Sequence, residues 1–241
     1  MNNFNHPSAL ILAGGAGTRL RSVVEDRPKV MAEVCGRPFL EYLLDQLVKW
    51  QIREVVLCTG YLAEQIEARF GTIYRGLKLA YSREHAALGT AGALRLALPM
   101  IRSTTTLVLN GDSFCGFDFE SLWHWHQSRK SKATLVLVQN PDASRFGSVQ
   151  IGADGRIFCF AEKMNSGKPG LINAGIYLIE SERLQAIPEA KFVSLEKDLF
   201  PEWVGSEFYG FETRAPFLDI GTPESYAAAQ SFFTDFKVAG T

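Results

Sequence analysis

A short apolar run that ends in a glycine-rich loop is the feature that most constrains this chain. The run Leu10–Ala13 has the composition of a buried strand, and Gly14, Gly15 and Gly17 follow it at once. Glycines reach positive φ and carry no Cβ that would block a ligand, so the backbone N–H groups of such a loop can form an anion site. The pattern therefore predicts a buried strand that delivers N–H donors to one point beyond its carboxyl end.

A hydroxyl and cations follow the loop, among them Thr18, Arg19 and Lys29. Because guanidinium and ammonium groups bind phosphate oxygens, we expect a polyanionic ligand, and a nucleoside triphosphate is the first candidate. Two common phosphate-binding motifs do not match. A P-loop has Gly-Lys where this chain has Gly17-Thr18, and Leu20 occupies the place of the third glycine of the dinucleotide fingerprint. A dinucleotide-binding oxidoreductase is therefore disfavoured.

Composition excludes several classes of protein. The chain has 241 residues, 46% of them hydrophobic, so it can bury a substantial core. Its formal net charge of −1 gives no reason to expect nucleic acid or a membrane as a partner. No apolar run reaches membrane-spanning length, and the first residues lack the pattern of a signal peptide. The four cysteines are widely spaced, which predicts neither a disulfide framework nor a zinc site and indicates the cytoplasm.

Strand-like and helix-like segments alternate along the first part of the chain. We predict strands at Ala9–Leu12, Glu54–Thr59, Leu77–Ser82, Thr105–Asn110 and Ala133–Gln139. We predict helices at Pro38–Trp50, Leu62–Phe70, Thr90–Leu98 and Glu120–Ser128. This alternation indicates an α/β fold with a mostly parallel sheet flanked by helices, in which the glycine loop and Gly111-Asp112 lie at strand ends and face one cleft.

The regular alternation of strand-like and helix-like segments ends after Pro141. We predict a hairpin with an Asp154-Gly155 turn, then strands at Gly175–Glu180 and Glu207–Glu212 and helices at Ser194–Phe200 and Pro223–Phe233. This part indicates a smaller β-rich lobe. Because no linker separates the two parts, we expect one domain with halves at about 8–140 and 141–234.

Seven motifs in a fixed order resemble the sugar nucleotidyltransferase family, from Leu10 to about Tyr226. They are Gly14–Leu20, Arg27-Pro28-Lys29, Leu88–Ala93, Asn110-Gly111-Asp112, Glu162-Lys163, Asn173–Tyr177 and Asp219–Glu224. The resemblance implies a Rossmann-like fold and the transfer of a nucleotidyl group from a nucleoside triphosphate to a sugar 1-phosphate, with release of pyrophosphate. It also implies Mg²⁺ or another divalent cation as cofactor. Both a monomer and a homodimer are compatible with it.

The same resemblance implies a role for each matching residue. The residues that it implies for nucleotide binding are Leu12, Ala13, Gly14, Gly15, Gly17, Thr18, Arg19, Glu84, Gly89, Thr90 and Asp112. Sugar-phosphate binding falls to Asn110, Gly147, Glu162, Lys163 and Asn173. Arg19 and Lys29 are the implied catalytic cations, on the β/γ-phosphates and between the two reacting phosphates respectively. Asp112 and Asp219 are the implied metal ligands.

Glu84 is the implied reader of the base. Relatives specific for pyrimidines commonly have glutamine here, whereas an ionised carboxylate only accepts hydrogen bonds. Guanine offers two adjacent donors, N1–H and the 2-amino group, so Glu84 favours GTP as the substrate. The chain departs from many relatives at Ala86-Ala87, where they have Glu-Pro.

Several readings stay open at this stage. The strings Gly170–Leu178 and Phe192–Asp198 resemble the branch that uses GTP and D-glycero-α-D-manno-heptose 1-phosphate. Guanylyl transfer to mannose 1-phosphate and uridylyl transfer to an amino-sugar 1-phosphate are alternatives. A nucleotide-binding regulatory subunit without catalysis is a further one, although the joint presence of Arg19, Lys29, Asp112 and Asp219 argues against it.

Overall fold

A mixed β-sheet covered by helices forms the centre of the molecule. The computed structural model describes residues 6–15, 17–143, 146–162 and 169–239, with the backbone alone for Glu162 and residues 237–239. The strands are β1 Ser8–Leu12, β2 Glu33–Val34, β3 Arg37–Pro38, β4 Glu54–Thr59, β5 Ile73–Tyr74, β6 Leu77–Arg83, β7 Thr105–Asn110, β8 Ser113–Cys115, β9 Ala133–Asn140, β10 Gly147–Ile151, β11 Ile157–Glu162, β12 Gly170–Glu180, β13 Phe208–Thr213 and β14 Phe217–Asp219.

The helices lie between these strands as the sequence predicts. They are α1 Phe39–Lys49, α2 Ala63–Phe70, α3 Gly89–Ala97, α4 Phe119–Ser128, α5 Ser181–Gln185, α6 Phe200–Trp203 and α7 Pro223–Ala239. Short 3-10 turns occupy Lys29–Met31 and Leu98–Met100, and Leu195–Leu199 is a π-helix that leads into α6. Among the described residues, no helix is both long enough and apolar enough to cross a membrane.

Parallel strands form the core of the first half of the chain, at about residues 8–140, which we call the nucleotide half. β1 lies between β4 and β7 and is parallel to both, and β4 is parallel to β6. Ala9 and Ile11 point to the face covered by α1 and α7, whereas Leu10 points to the face covered by α3. Successive strand residues face opposite sides of a sheet, so burial on both faces explains the uninterrupted apolar run. The predicted α/β class and parallel core are confirmed.

The second half extends the same sheet with antiparallel strands. β12 pairs antiparallel with β7, β9 and β10, and β10 pairs antiparallel with β11 as the predicted hairpin. β12 begins at Gly170, five residues before the predicted start at Gly175. The register of β12 against β9 shifts between Asn173 and Tyr177, where Gly175 has φ +74° and its N–H donates to Asn173 Oδ1. A glycine at such an irregularity gives the sequence the pattern of a strand start, which is why the strand was predicted to begin at Gly175.

Two short antiparallel ribbons lie beside the main sheet and were not predicted. β8 pairs with β14, and β2 pairs with β3. Helix α7 holds the second ribbon, because Tyr226 Oη donates to the Glu33 carbonyl at 2.7 Å and the Cys35 N–H donates to Gln230 Oε1 at 2.7 Å. These ribbons fix the segments on either side of the strand-end cleft.

Candidate active site

A cavity of about 740 Å³ lies beyond the carboxyl ends of the parallel strands β1, β4, β6 and β7. Open α/β sheets bind their ligands at this edge. The cavity brings together these predicted residues: Leu12, Ala13, Gly14, Gly15, Gly17, Thr18, Arg19, Lys29, Glu84, Gly89, Thr90, Asn110 and Asp112. The nucleotide-binding residues inferred from the sequence therefore share one surface.

The three described glycines of the loop differ in what surrounds them and therefore in what each contributes. A Cβ on Gly14 would lie 2.8 Å from Glu84 Oε1 and 3.2 Å from the Gly60 nitrogen, so only glycine fits there. Gly17 has φ +59°, and a Cβ on it would lie 3.1 Å from Lys29 Cβ. A Cβ on Gly15 would meet no described atom within 4 Å. The fold thus explains Gly14 and Gly17, while Gly15 leaves an open approach to the loop.

Lys29 and Asp112 form an ion pair on the floor of the cavity. Lys29 Nζ lies 2.5 Å from Asp112 Oδ2, and the Lys29 side chain is only 11% exposed. Gly111 brings Asp112 close to β1, because a Cβ at Gly111 would lie 2.5 Å from the Leu12 carbonyl oxygen. Burial alone would raise the pKa of Asp112, but the charge and hydrogen bond of Lys29 hold it below its usual value. Asp112 is therefore an anion at neutral pH.

Asp219 is brought beside Asp112 by the β8–β14 ribbon, although it is not among the residues that line the cavity. It lies opposite Ser113 in the ribbon, and the Ile220 N–H donates to the Asp112 carbonyl at 2.9 Å. Burial first, and then the charge of Asp112, raise the pKa of Asp219 to about 6. The charges of Lys29 and Arg19 oppose this rise, and the two adjacent carboxylates are the groups suited to hold a further cation.

The donor set fits a hard divalent cation. Within the described residues, no group of three or more His, Cys, Asp and Glu side chains could hold a metal ion. Mg²⁺ prefers oxygen ligands and takes one or two carboxylates together with phosphates and waters. The pair Asp112 and Asp219 matches that requirement, whereas a zinc site would need more protein ligands.

Glu84 also lines the cavity, and it lies directly after β6. Its N–H donates to the Thr59 carbonyl at 2.9 Å, and its Oε2 accepts from the Leu88 N–H at 3.1 Å. Its Oε1 packs against Gly14 and Gly60. Each carboxylate oxygen has two lone pairs, so Glu84 keeps the capacity to accept from a ligand while it also ties the 84–88 loop.

Gly89 and Thr90 contact a segment that the sequence did not connect with them. Gly89 has φ +73°, and a Cβ there would lie 2.5 Å from the Val193 carbonyl oxygen. The Thr90 hydroxyl donates to Glu196 Oε2 at 2.9 Å and accepts from the Leu195 N–H at 2.7 Å. Both residues line the cavity, but these contacts give each a structural task as well.

The predicted sugar side is described in part. Asn173 Nδ2 donates to Tyr177 Oη at 3.0 Å, and Asn110 packs against Gly175. Asn110 Oδ1 is buried without a hydrogen-bond partner in the described portion of the chain. Gly147 lies opposite the Glu162 backbone in the β10–β11 pair. The described residues do not include the Glu162 side chain or Lys163. They also do not include Arg145, which lies two residues before Gly147.

Sequence reasoning did not assign several residues at the cavity. Tyr61, Arg83, His85 and Phe192 also line it. Tyr61, Arg83 and His85 belong to none of the seven motifs. Phe192 begins the string Phe192–Asp198 that resembles one branch of the family, but it was assigned no role and reaches the cavity from a segment about a hundred residues away from Glu84. Their positions follow from the tertiary fold, which no local pattern in the sequence reports.

The comparisons with known proteins agree with this geometry. The model of the family described as "Nucleotidyl transferase" matches residues 8–235. The chain belongs to the nucleotidyl transferase family. The predicted family and enzyme class are therefore confirmed.

Named relatives of this nucleotidyl transferase include two guanylyltransferases. The D-glycero-alpha-D-manno-heptose 1-phosphate guanylyltransferase of Aneurinibacillus thermoaerophilus is 39% identical over 223 residues, which cover 92% of this chain and 96% of that protein. The mannose-1-phosphate guanylyltransferase of Mycobacterium tuberculosis is 35% identical over 90% of this chain and 62% of that protein. The crystal structure of HddC from Yersinia pseudotuberculosis complexed with GMP-PN has a TM-score of 0.82 and 33% identity, and the match covers 95% of this chain and all of that one.

Proposed function

We propose that this nucleotidyl transferase moves GMP from GTP to D-glycero-α-D-manno-heptose 1-phosphate and releases pyrophosphate. The observation that carries the proposal is the convergence on one cavity of the glycine loop, the Lys29–Asp112 pair and Glu84. A protein that only bound nucleotide would not need a buried ammonium paired with Asp112 and close enough to Asp219 to affect its pKa. The 39% identity to a heptose 1-phosphate guanylyltransferase, over 96% of that relative's length, supports the choice of substrates.

The reaction is a single displacement at the α-phosphorus of GTP. A phosphate oxygen of the sugar 1-phosphate forms a bond to this phosphorus, the bond from the α-phosphorus to the bridging oxygen breaks, and that oxygen leaves with pyrophosphate. The nucleophile is already ionised, so no residue has to remove a proton. The protein contributes charge neutralisation and in-line positioning.

Lys29 is suited to the centre of this displacement. Its ion pair with Asp112 fixes the ammonium on the cavity floor, where both reacting phosphates would meet. Arg19 is exposed and lines the cavity beyond the loop, which supports its assignment to the outer phosphates of GTP. A cation that contacts the developing negative charge lowers the barrier more than it strengthens ground-state binding.

A divalent cation, with Mg²⁺ as the first candidate, is part of the proposal. Asp112 and Asp219 would hold it, and the pairing of Asp219 with Ser113, the residue after Asp112, supports this assignment. When bound, the cation would neutralise charge on the triphosphate and on the departing pyrophosphate.

The sugar would lie on the side of β12. The unpartnered Asn110 Oδ1 supports a role in accepting a donor from the sugar phosphate. Asn173, Gly147, Glu162 and Lys163 remain proposed contacts. Mannose 1-phosphate is the second candidate, since the mannose-specific relative is 35% identical, although the chain spans only 62% of that relative's length.

We also propose that one domain carries both halves and that the enzyme acts in the cytoplasm. The continuous ten-stranded sheet of the described residues supports the first point. The four cysteines are free thiols, which is in accord with a reducing compartment.

A substrate panel tests the proposal. GTP, CTP, UTP, dTTP and ATP are each paired with the heptose 1-phosphate and with mannose 1-phosphate, and pyrophosphate release is followed with Mg²⁺ present. We expect the highest kcat/KM for GTP with the heptose 1-phosphate. Equal use of UTP or dTTP would contradict guanylyl transfer, and a higher kcat/KM with mannose 1-phosphate would contradict the heptose.

A further inference from the structure

Phe192 presents a bare aromatic ring at the mouth of the nucleotide cavity. Its side chain is 68% exposed, and it lines the same cavity as Glu84, Ala87 and Gly89. Covering a phenyl ring is favourable, so a ring held in water beside a polar cavity provides a surface that a flat ligand can cover. Phe192 begins the string Phe192–Asp198 that resembles the heptose branch, but no role is assigned to it.

The backbone next to Phe192 is fixed to the start of α3. The Val193 N–H donates to the Leu88 carbonyl at 2.8 Å, and the Val193 carbonyl accepts from the N–H groups of Ala91 and Gly92 at 3.0 and 3.3 Å. Two residues further on, the Leu195 N–H donates to the Thr90 hydroxyl. We call residues 191–195 the strap. The strap is therefore attached to the same turn that follows Glu84.

Two glycines permit this close approach. A Cβ on Gly89 would lie 2.5 Å from the Val193 carbonyl oxygen, and a Cβ on Gly92 would lie 2.7 Å from the Lys191 carbonyl oxygen. Real Cβ atoms do not approach backbone atoms so closely, so glycine is required at both positions for the strap to cross α3 here. The position of Phe192 at the cavity is thus built into α3, and an exposed side chain on a fixed backbone is preorganised for a ligand.

We propose that the Phe192 ring stacks on the nucleoside of the bound triphosphate and holds it against the 84–89 turn. The inference deepens the proposed function and rests on it for the identity of the ligand. A purine has an apolar face that an aromatic ring can cover, whereas phosphates and sugar hydroxyls have none. Every base has such a face, so stacking adds affinity without choosing among bases. Phe192 adds affinity for the nucleotide, and Glu84 selects guanine among the bases.

Substitution of Phe192 separates these two tasks. Phe192→Ala raises both the KM and the Kd for GTP by on the order of tenfold, in line with the loss of one stacked base. It leaves the KM of the sugar 1-phosphate, the Tm and the ratio of GTP to UTP use unchanged. Phe158→Ala is the matched control, because Phe158 is 58% exposed but does not line the cavity. Phe192→Leu, which keeps apolar bulk without a ring, falls between Ala and wild type.

Phe192→Trp gives a direct signal, because an indole stacked on guanine loses fluorescence when GTP binds. The proposal is overturned if Phe192→Ala leaves the Kd for GTP unchanged, if only the KM of the sugar 1-phosphate rises, or if Phe158→Ala has the same effect. Equilibrium binding of GTP needs no turnover. If the wild type binds GTP but transfers it to no sugar phosphate, the proposed function fails while the Kd of Phe192→Ala still decides the stacking. If the wild type binds no nucleotide, both fail.

Discussion

Lys29 sets the charge balance of the site at the scale of single residues. Its ammonium pairs with Asp112 at 2.5 Å, while the neighbouring Asp219 has its pKa raised to about 6 by burial and by Asp112. The two carboxylates repel each other, and the charges of Lys29 and Arg19 only partly offset the rise in the pKa of Asp219. A bound divalent cation would resolve this conflict, and it would make Asp219 a full anion at neutral pH.

Removal of either carboxylate charge should reduce the rate and not the fold. We expect Asp112→Asn and Asp219→Asn each to lower kcat by on the order of 10²-fold or more, the scale for loss of a main electrostatic stabiliser. Steady-state kinetics at saturating Mg²⁺ measure this, and excess EDTA should abolish wild-type turnover. Asp235→Asn, an exposed acid on α7, is the control and should be neutral. Full activity of both site variants would refute the metal assignment.

Glu84→Gln should weaken the preference for guanine. An amide donates as well as accepts, so the variant can pair with the carbonyl oxygens of uracil that repel a carboxylate. We expect the ratio of kcat/KM for GTP to that for UTP to fall by at least tenfold, and we expect the wild type to use ITP less well than GTP. If the ratio stays constant in Glu84→Gln while the wild type still prefers GTP, another group reads the base.

The sequence predicted the charged residues of this site better than the apolar ones. Arg19, Lys29 and Asp112 stand in motifs, and the resemblance implies Glu84 as the reader of the base, because phosphates and bases need particular charges at particular strand ends. Phe192 and Glu196 belong to the string Phe192–Asp198 that resembles the heptose branch, but nothing in that string indicated a position beside Gly89 and Thr90. They reach the site through backbone contacts between the strap and α3, and such contacts do not depend on side-chain identity at the strap.

At the scale of elements, the glycine loop combines two requirements that the sequence does not separate. Gly14 is fixed by the close packing of Glu84 and Gly60, and Gly17 by its positive φ, whereas Gly15 has open space around it. The first two positions maintain the fold of the loop. The third affects only what approaches the loop from solvent.

Alanine substitutions at Gly14 and Gly15 should therefore differ. Gly14→Ala forces Glu84 or the Gly60 backbone to move and should cost about 1–3 kcal/mol of unfolding free energy. Gly15→Ala should leave the Tm within about a degree while raising the KM for GTP on the order of tenfold, because its methyl group blocks the phosphates. Thermal unfolding and steady-state kinetics of the pair measure this. Equal Tm losses in both variants would contradict the distinction.

Helix α4 is joined to the sheet by a buried histidine. His126 Nδ1 lies 2.9 Å from Thr134 Oγ1 on β9, and its Nε2 lies 3.2 Å from Glu180 Oε1 on β12. Burial lowers the pKa of His126, although the Glu180 carboxylate opposes the change. The unfolded chain therefore binds this proton more tightly than the folded chain.

This contact should make stability depend on pH in a known direction. The contribution of neutral His126 is complete above the unfolded pKa of about 6.5 and is lost as the pH falls below it. We expect the unfolding free energy of the wild type to fall between pH 7 and pH 5 more steeply than that of His126→Gln. Urea unfolding at each pH measures the difference. Parallel pH profiles would remove His126 as the cause.

Element prediction succeeded where patterns were long and failed where they were short. β4 and β7 were predicted with their observed bounds, since five consecutive apolar or β-branched residues in each carry a clear signal. The ribbons β2–β3 and β8–β14 have two or three residues per strand, too few for a periodicity of two to be read. The ribbon β8–β14 carries Asp219, so its position beside Asp112 could be inferred only through the family motif.

At the scale of the whole molecule, one sheet runs through both halves of the chain. β12 joins the parallel nucleotide half at β7 to the hairpin β10–β11 and to β9. The cavity lies at the carboxyl ends of the parallel strands, and Phe192 and Gly221 contribute to it from the other half. A ligand bound there contacts segments from distant parts of the sequence and should stabilise them together.

GTP binding should therefore raise the stability of the whole chain in one step. At a GTP concentration of about 100 times Kd, binding adds about 2.7 kcal/mol to the unfolding free energy, which corresponds to a Tm increase of roughly 5–10 °C. Differential scanning calorimetry with Mg²⁺ and GTP measures this, with ATP as the matched control. Two transitions, of which only one moves with GTP, would show that the halves unfold as separate domains.

The late position of β14 in the sequence has a consequence for synthesis on the ribosome. β1, β4, β6 and β7 can pair as soon as the first half of the chain has emerged, and they would already present the glycine loop, Lys29 and Asp112. Asp219 arrives only after the strands of the main sheet have all been made. A nascent chain can thus hold a nucleotide, which would help its parallel strands to stay together, yet it lacks half of its carboxylate pair. Catalytic competence is acquired only after β14 has been made and pairs with β8.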